Sequence, residues 1–174
     1  MEKPKEPIQG YLRKKEVILP LNEEVKELRE KGFGDLKNEE LLLKPYEAFY
    51  LVEKGKIKVY EFNSKQPLGL GELVKKLSAD KKEELIKYLV YRDLREKGYI
   101  VRESEKMDFE VYGKGPLRRL VSIIHEGRET TIGKLISLLN FAEEERKELI
   151  LAVIDRRTDI VFYTLSFLNF KGKG

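Results

Sequence analysis

The groups in this chain that could move a proton or steady a charge are few in kind. There is no cysteine and one histidine, His125, which excludes disulfides and thiolate metal centres and leaves a zinc site short of ligands. Any chemistry has to use oxygen, amine or imidazole groups without a soft metal, which means proton transfer and charge stabilisation. The candidates are Tyr112 at the end of DFEVY, Lys147 within ERKEL, and His125 behind LVSII. By type alone, Tyr112 reads as a sheet-edge tyrosine, Lys147 as a solvated lysine and His125 as a loop-end histidine. The basic pair Arg118 and Arg119 is a candidate RNA contact.

The elements that must position these residues begin at Asp80. Leu85, Ile86, Leu89, Val90 and Leu94 recur at helical spacing and predict one buried stripe. Asp80 and Glu83 form a capping-box pattern at the start of this helix, and Lys97 followed by Gly98 stops it. YIV and DFEVY then read as strands around a polar turn. GKGP is a tight turn and LVSII (Leu120–Ile124) a buried strand. Thr131 caps a helix through Asn140, LILAVI is the next strand, residues 155–159 make a polar turn, and IVFYTLSFLNF is the last strand.

Upstream, YL and EVILP are short β runs, and Asn22 caps a helix ending at Lys31-Gly32. Residues 32–40 read as loop, Leu41–Leu43 as a strand, Pro45 to Gly55 as a helix with its ends marked, and Lys56 to Phe62 as a strand. Tyr46, Phe49, Tyr50, Leu51 and Val52 lie at helical spacing and are read as core. NSKQPLGLG is the linker, and a boundary near Ser78 divides the chain into domains 1–78 and 79–174. The fold class is α+β: a small N-terminal α/β domain followed by a C-terminal α+β domain with a mixed sheet.

Of the 174 residues, 41% are apolar, enough for real cores. No apolar run approaches the ~20 residues of a membrane span, and MEKPKEPIQG has no apolar signal core, so a soluble, cytoplasmic protein is expected. Charged residues make up 38%, with 35 basic against 31 acidic, a mixture suited to surface ion-pair networks in a heat-adapted protein. The net charge of +4 permits nucleic-acid binding and is equally ordinary for a soluble domain.

The stretch DKKEELIKYLVYRDLREKGYIVRESEKMDFEVY, with ERKELILAVID downstream, resembles the catalytic-type domain of archaeal tRNA-splicing endonucleases, and LLLKPYEAFYLVEKGKI resembles the way that family's N-terminal domain closes. The resemblance implies an endonuclease-like C-terminal domain, no metal or cofactor, and a Tyr, His, Lys set acting on the ribose 2′-hydroxyl, the leaving oxygen and the charge on phosphorus. Tyr112 falls on the tyrosine position and Lys147 on the lysine position. The histidine slot falls on Pro116, which can neither donate nor accept a proton, while His125 lies beyond the following strand. Asn140 stands where the family often has an arginine that pinches a bulged base, and Glu143, Glu144 and Glu145 would repel a phosphate backbone.

The resemblance further places Asp155 and Asp159 on a loop that docks into a basic pocket of a partner subunit. The last strand, apolar on both faces, gives Val161, Tyr163, Leu165 and Phe167 as interface residues. The expectation is therefore a structural subunit, inactive alone, that assembles with a catalytic endonuclease subunit as a hetero-oligomer on precursor tRNA with bulge-helix-bulge sites. The alternatives are a self-sufficient nuclease using Tyr112 and Lys147, and a non-cleaving RNA-binding module using Arg118 and Arg119.

Overall fold

Alternating apolar residues build the first sheet. The computed structural model describes residues 5–78 and 81–168. It opens with the antiparallel hairpin of β1 (Ile8–Arg13) and β2 (Glu16–Pro20). In α1 (Glu23–Glu30) the Asn22 side chain accepts a hydrogen bond from the Val25 amide at 2.8 Å, the N-cap expected of it. Then come β3 (Asp35–Lys37), β4 (Glu40–Leu43), α2 (Pro45–Glu53) and β5 (Ile57–Tyr60). The strand order is β3-β4-β2-β1-β5, and the sheet is mixed because β5 runs parallel to β1.

Strand alternation puts Val17, Leu19, Leu41, Leu43, Ile57 and Val59 on one face, each at most 2% exposed. Gly10 shares that face, and a Cβ there would stand 2.6 Å from Leu19 Cδ2, so a larger residue would have to displace the buried Leu19 side chain. β3 was not expected. Its three residues are all exposed, so no apolar alternation marks it in the sequence.

α3 (Leu70–Ser78) and α4 (Lys82–Glu96) follow. Asp80, read as the cap of α4, lies outside the described residues. Backbone contacts divide the chain into Met1–Asp93 and Leu94–Gly174, a division that falls inside α4. Ile86, Val90 and Leu94 are buried as the stripe predicts, whereas Leu85 is 40% exposed and Tyr88 and Tyr91 are buried. The aromatic residues of α2 explain the shift. Tyr91 packs 4.8 Å from Tyr46 and 5.9 Å from Tyr50 between ring centres, and Tyr88 meets Phe49 edge-on at 5.5 Å, geometries that favour ring pairs. The Tyr88 hydroxyl donates to Glu53, whose other oxygen holds Arg92 at 3.1 Å. Tyr46, Phe49 and Leu51 are core, as read, and Tyr50 and Val52 are half-buried.

In the second unit Gly98, at φ +90°, closes α4, with its amide on the Arg95 carbonyl and the Tyr99 amide on the Leu94 carbonyl. β6 (Ile100–Glu103), β7 (Phe109–Tyr112), β8 (Arg119–His125), α5 (Ile132–Glu144), β9 (Glu148–Ile154) and β10 (Ile160–Leu165) complete it. The sheet order is β10-β9-β8-β7-β6. Only β8 and β9 pair in parallel within it, and α5 supplies the crossover that a parallel pair requires. Met107, Leu120, Leu139, Ala142, Leu149 and Leu151 form the core between α5 and the sheet.

Two element limits differ from expectation. α5 runs on to Glu144 instead of ending at Asn140, because Ala142 is buried and continues its packed face. β8 includes His125, because the ladder with β9 extends to the His125 and Ile154 pair. The last strand ends at Leu165, leaving Phe167 beyond it, while Asn169 and Phe170 lie outside the described residues. The fold is α+β with two mixed sheets. No helix among the described residues is long and apolar enough to cross a membrane.

Candidate functional site

The place of Lys147 follows from how α5 stops. Arg146 takes the left-handed conformation at φ +56°. Its amide donates to the Glu143 carbonyl at 3.0 Å, and the Lys147 amide donates to the Ala142 carbonyl at 2.9 Å. This closure satisfies the last carbonyls of the helix and turns the chain into β9. The Lys147 ammonium lies 3.2 Å from Glu110 Oε1 and 3.4 Å from Glu145 Oε2. Glu110 and Tyr112 alternate along β7 with the buried Phe109 and Val111, so they share a face. Arg118 donates to the same Glu110 oxygen at 3.2 Å, and its guanidinium stands 4.7 Å from the centre of the Tyr112 ring. Tyr112 and Lys147 are thus joined by a continuous set of contacts through Arg118 and Glu110.

Two cations and a phenol around one acidic group could receive a phosphate oxygen, since guanidinium and ammonium donors both suit that ligand. Here Glu110 and Glu145 compete for those donors. The Lys147 side chain is 18% exposed and that of Glu110 19%, so the pair is screened less than a surface pair would be. Arg119 does not join the cluster. It alternates with Arg118 along the chain and donates to Glu148 Oε2 at 2.6 Å. Pro116 lies in the exposed turn between β7 and β8, where Gly113 and Gly115 take φ of +98° and +77°.

His125 ends β8 at Ile154, whereas Arg119 begins it at Glu148. That strand length, ~20 Å at ~3.3 Å per residue, separates the imidazole from the Arg119 end. His125 instead lines a hollow of about 490 Å³ with Arg128, Glu129 and Lys134. Asn140 lies exposed on α5. Among the described residues no group of three His, Asp or Glu side chains converges as a metal site would require.

Glu110 was not singled out in the sequence, although the alternation of DFEVY puts it on the tyrosine's face. Asp108 of the same run accepts from the Ile123 amide at 2.7 Å and braces β8 against β7.

The proposed contact surface forms the free edge of the second sheet. β10 pairs with β9 on one side only. Val161 and Tyr163 are about half exposed, Leu165 is half-buried, and Phe167 beyond the strand is exposed. In the turn before it, Asp155 Oδ1 accepts from the amides of Arg157 at 2.8 Å and Asp159 at 3.0 Å. Asp155 therefore builds the turn, while the Asp159 side chain is exposed.

Comparison with known proteins finds two matching family descriptions. The tRNA intron endonuclease N-terminal domain matches residues 8–74, and the tRNA intron endonuclease catalytic C-terminal domain matches residues 85–162. A protein of Pyrococcus horikoshii named tRNA-splicing endonuclease is 33% identical over 172 residues, covering 95% of this chain and 99% of that one. The protein of the same name from Pyrococcus furiosus is 36% identical over 145 residues, covering 80% and 84%. That of Methanosarcina mazei is 34% identical over 163 residues, covering 90% of this chain and 45% of its own length.

Proposed function

The chain belongs to the tRNA intron endonuclease family, and we propose that it serves there as the structural subunit of a tRNA-splicing endonuclease. In this reading it assembles with a catalytic subunit and positions it on precursor tRNA at bulge-helix-bulge sites. The observation that carries the reading is the lack of an imidazole at the Tyr112–Lys147 cluster. Pro116 occupies the turn beside Tyr112, and the single histidine stands a strand length away. Metal-independent cleavage at the ribose 2′-hydroxyl, leaving a 2′,3′-cyclic phosphate, needs a group to protonate the leaving oxygen, and the loss of a general acid or base costs on the order of 10² to 10⁴ in rate.

Assembly would use the free edge of β10 and the turn before it, with Asp159 facing a cationic pocket of the partner and Val161, Tyr163, Leu165 and Phe167 giving apolar contact. Arg118, held by Glu110 but more exposed than Arg119, would be the cation offered to RNA, whereas Arg119 is held at 2.6 Å by Glu148. The domain limits 1–78 and 79–174 belong to the same proposal.

One observation favours a second reading. Tyr112 and Lys147 lie in a single cluster with Arg118, as a self-sufficient homo-oligomeric nuclease would require. A cleavage assay separates the two. The purified chain, in chelator, is offered a bulge-helix-bulge RNA alone and then with a catalytic subunit that carries the histidine. We expect cleavage only in the mixture. Robust cleavage by the chain alone overturns the structural reading.

A further inference from the structure

The first sheet has one packed face and one partly open face, on which Ile18 is buried beside Tyr11. On the open face Tyr11 and Tyr60 stand side by side on the parallel pair β1 and β5, their ring centres 6.5 Å apart. Tyr11 is 43% exposed, Tyr60 is half-buried, and Phe62 just past β5 is 86% exposed. Lys58 precedes Tyr60 on the same face of β5, and Lys14 and Lys15 form the exposed turn at the end of β1. No carboxylate holds these three lysines among the described residues. The nearby acids are largely engaged: Glu40 is held by Arg13 at 2.7 Å and Glu61 by Lys76 at 2.6 Å, leaving Glu16 exposed.

Exposed rings between unpaired cations suit a ligand with flat π-faces and a negative backbone. An apolar protein surface would use the rings and leave the lysines idle, and duplex RNA would offer phosphates but no free base face. We propose that the open face of the first sheet is a binding platform for a single-stranded RNA segment, whose bases stack on Tyr11 and Phe62 while Lys14, Lys15 and Lys58 meet its phosphates. Sequence-tolerant stacking with a cationic track is how single strands are held without base-edge readout. The platform lies in the first unit and requires neither Pro116, Lys147 nor a partner, so it stands apart from the reading of the second unit.

The test is fluorescence anisotropy of a labelled oligouridylate of about eight nucleotides, a length within the usual site sizes, titrated with the full chain at low and high salt. The wild type should bind, more weakly as salt rises. Tyr11→Ala and Phe62→Ala should each weaken binding about five- to a hundredfold, as loss of one stacked base does, and Tyr11→Phe should stay within about twofold of the wild type. Lys58→Glu should weaken binding and flatten its salt dependence. Phe62 is so exposed that its loss leaves folding intact, which keeps the test open should Tyr11→Ala destabilise the sheet. The proposal is overturned by a wild type that does not bind the single strand, by alanine variants that bind it unchanged, or by variants that lose assembly with the catalytic subunit while keeping RNA affinity.

Discussion

Lys147 and Arg118 share one oxygen of Glu110, each 3.2 Å from it, and that sharing sets how the cluster answers substitution. If this chain only positions a catalytic partner, none of its proton-bearing groups takes part in cleavage. Tyr112→Phe and Lys147→Ala should then leave the assembled enzyme's single-turnover rate within about threefold of the wild type, whereas loss of a catalytic acid or base costs on the order of a hundredfold or more. A hundredfold fall in either variant, with assembly intact, would make this chain a cleaving subunit. His125→Ala should be equally silent, because the imidazole ends β8 far from Lys147. Tyr112 and Lys147 stand out in the sequence only because DFEVY and ERKEL match the family's tyrosine and lysine positions; by type alone each is an ordinary surface residue. Glu110 does not stand out, since a glutamate alternating with apolar residues in a strand looks like any solvent-facing position until the fold sets a lysine beside it.

At the scale of elements, the turn between β9 and β10 separates two acidic residues that sequence treats alike. Asp155 accepts two backbone amides and Asp159 offers only its charge. Asp155→Ala should lower the free chain's stability by about 0.5–1.5 kcal/mol, because it removes the acceptor of two turn amides that water can only partly replace. Thermal melting would register that as a fall of several degrees. Asp159→Lys should leave the melting temperature near the wild type's, since surface changes usually stay within ~0.5 kcal/mol. It should nonetheless weaken assembly with the partner on size-exclusion chromatography, an effect that fades at high salt. An Asp159→Lys chain that assembles normally in both salts would remove the turn from the interface. The strands and helices were mostly readable from alternation and caps. β3 was not, having no buried residue, and α5 outran its predicted end because FAEE keeps its packing without changing the sequence pattern.

Across the first unit, the Tyr88, Glu53 and Arg92 network ties α4 to α2. Burial first, and then the hydrogen bond and charge of Glu53, push the Tyr88 phenol well above its ordinary value of 10.0. A raised folded value means the folded chain keeps a proton that the unfolded chain releases, so this stabilisation is full below about pH 10 and is lost as pH climbs beyond it. Tyr88→Phe should cost about 0.5–1.5 kcal/mol at neutral pH and flatten the alkaline limb of a stability-versus-pH curve. An unchanged limb would mean the phenol ionises freely. The helix stripe read from sequence missed Tyr88 and Tyr91 because periodicity counts aliphatic residues well but does not show which second face an aromatic partner such as Tyr46 will draw inward. The backbone contacts divide at Asp93 because these rings lock most of α4 onto the first unit.

β10 also has a bearing on supply. Its six residues, IVFYTL, contain no charge and no proline, and among the described residues no strand pairs with its outer side. Edges elsewhere are guarded by lysine, proline or a bulge, and short uncharged segments of this composition stack readily into fibrils. A chain made in excess of whatever covers that edge would be prone to precipitate, the more so at high temperature. On the proposed reading the cell would then have to match its synthesis to that of the catalytic subunit, and the purified chain held alone at high temperature should aggregate faster than the chain paired at that edge.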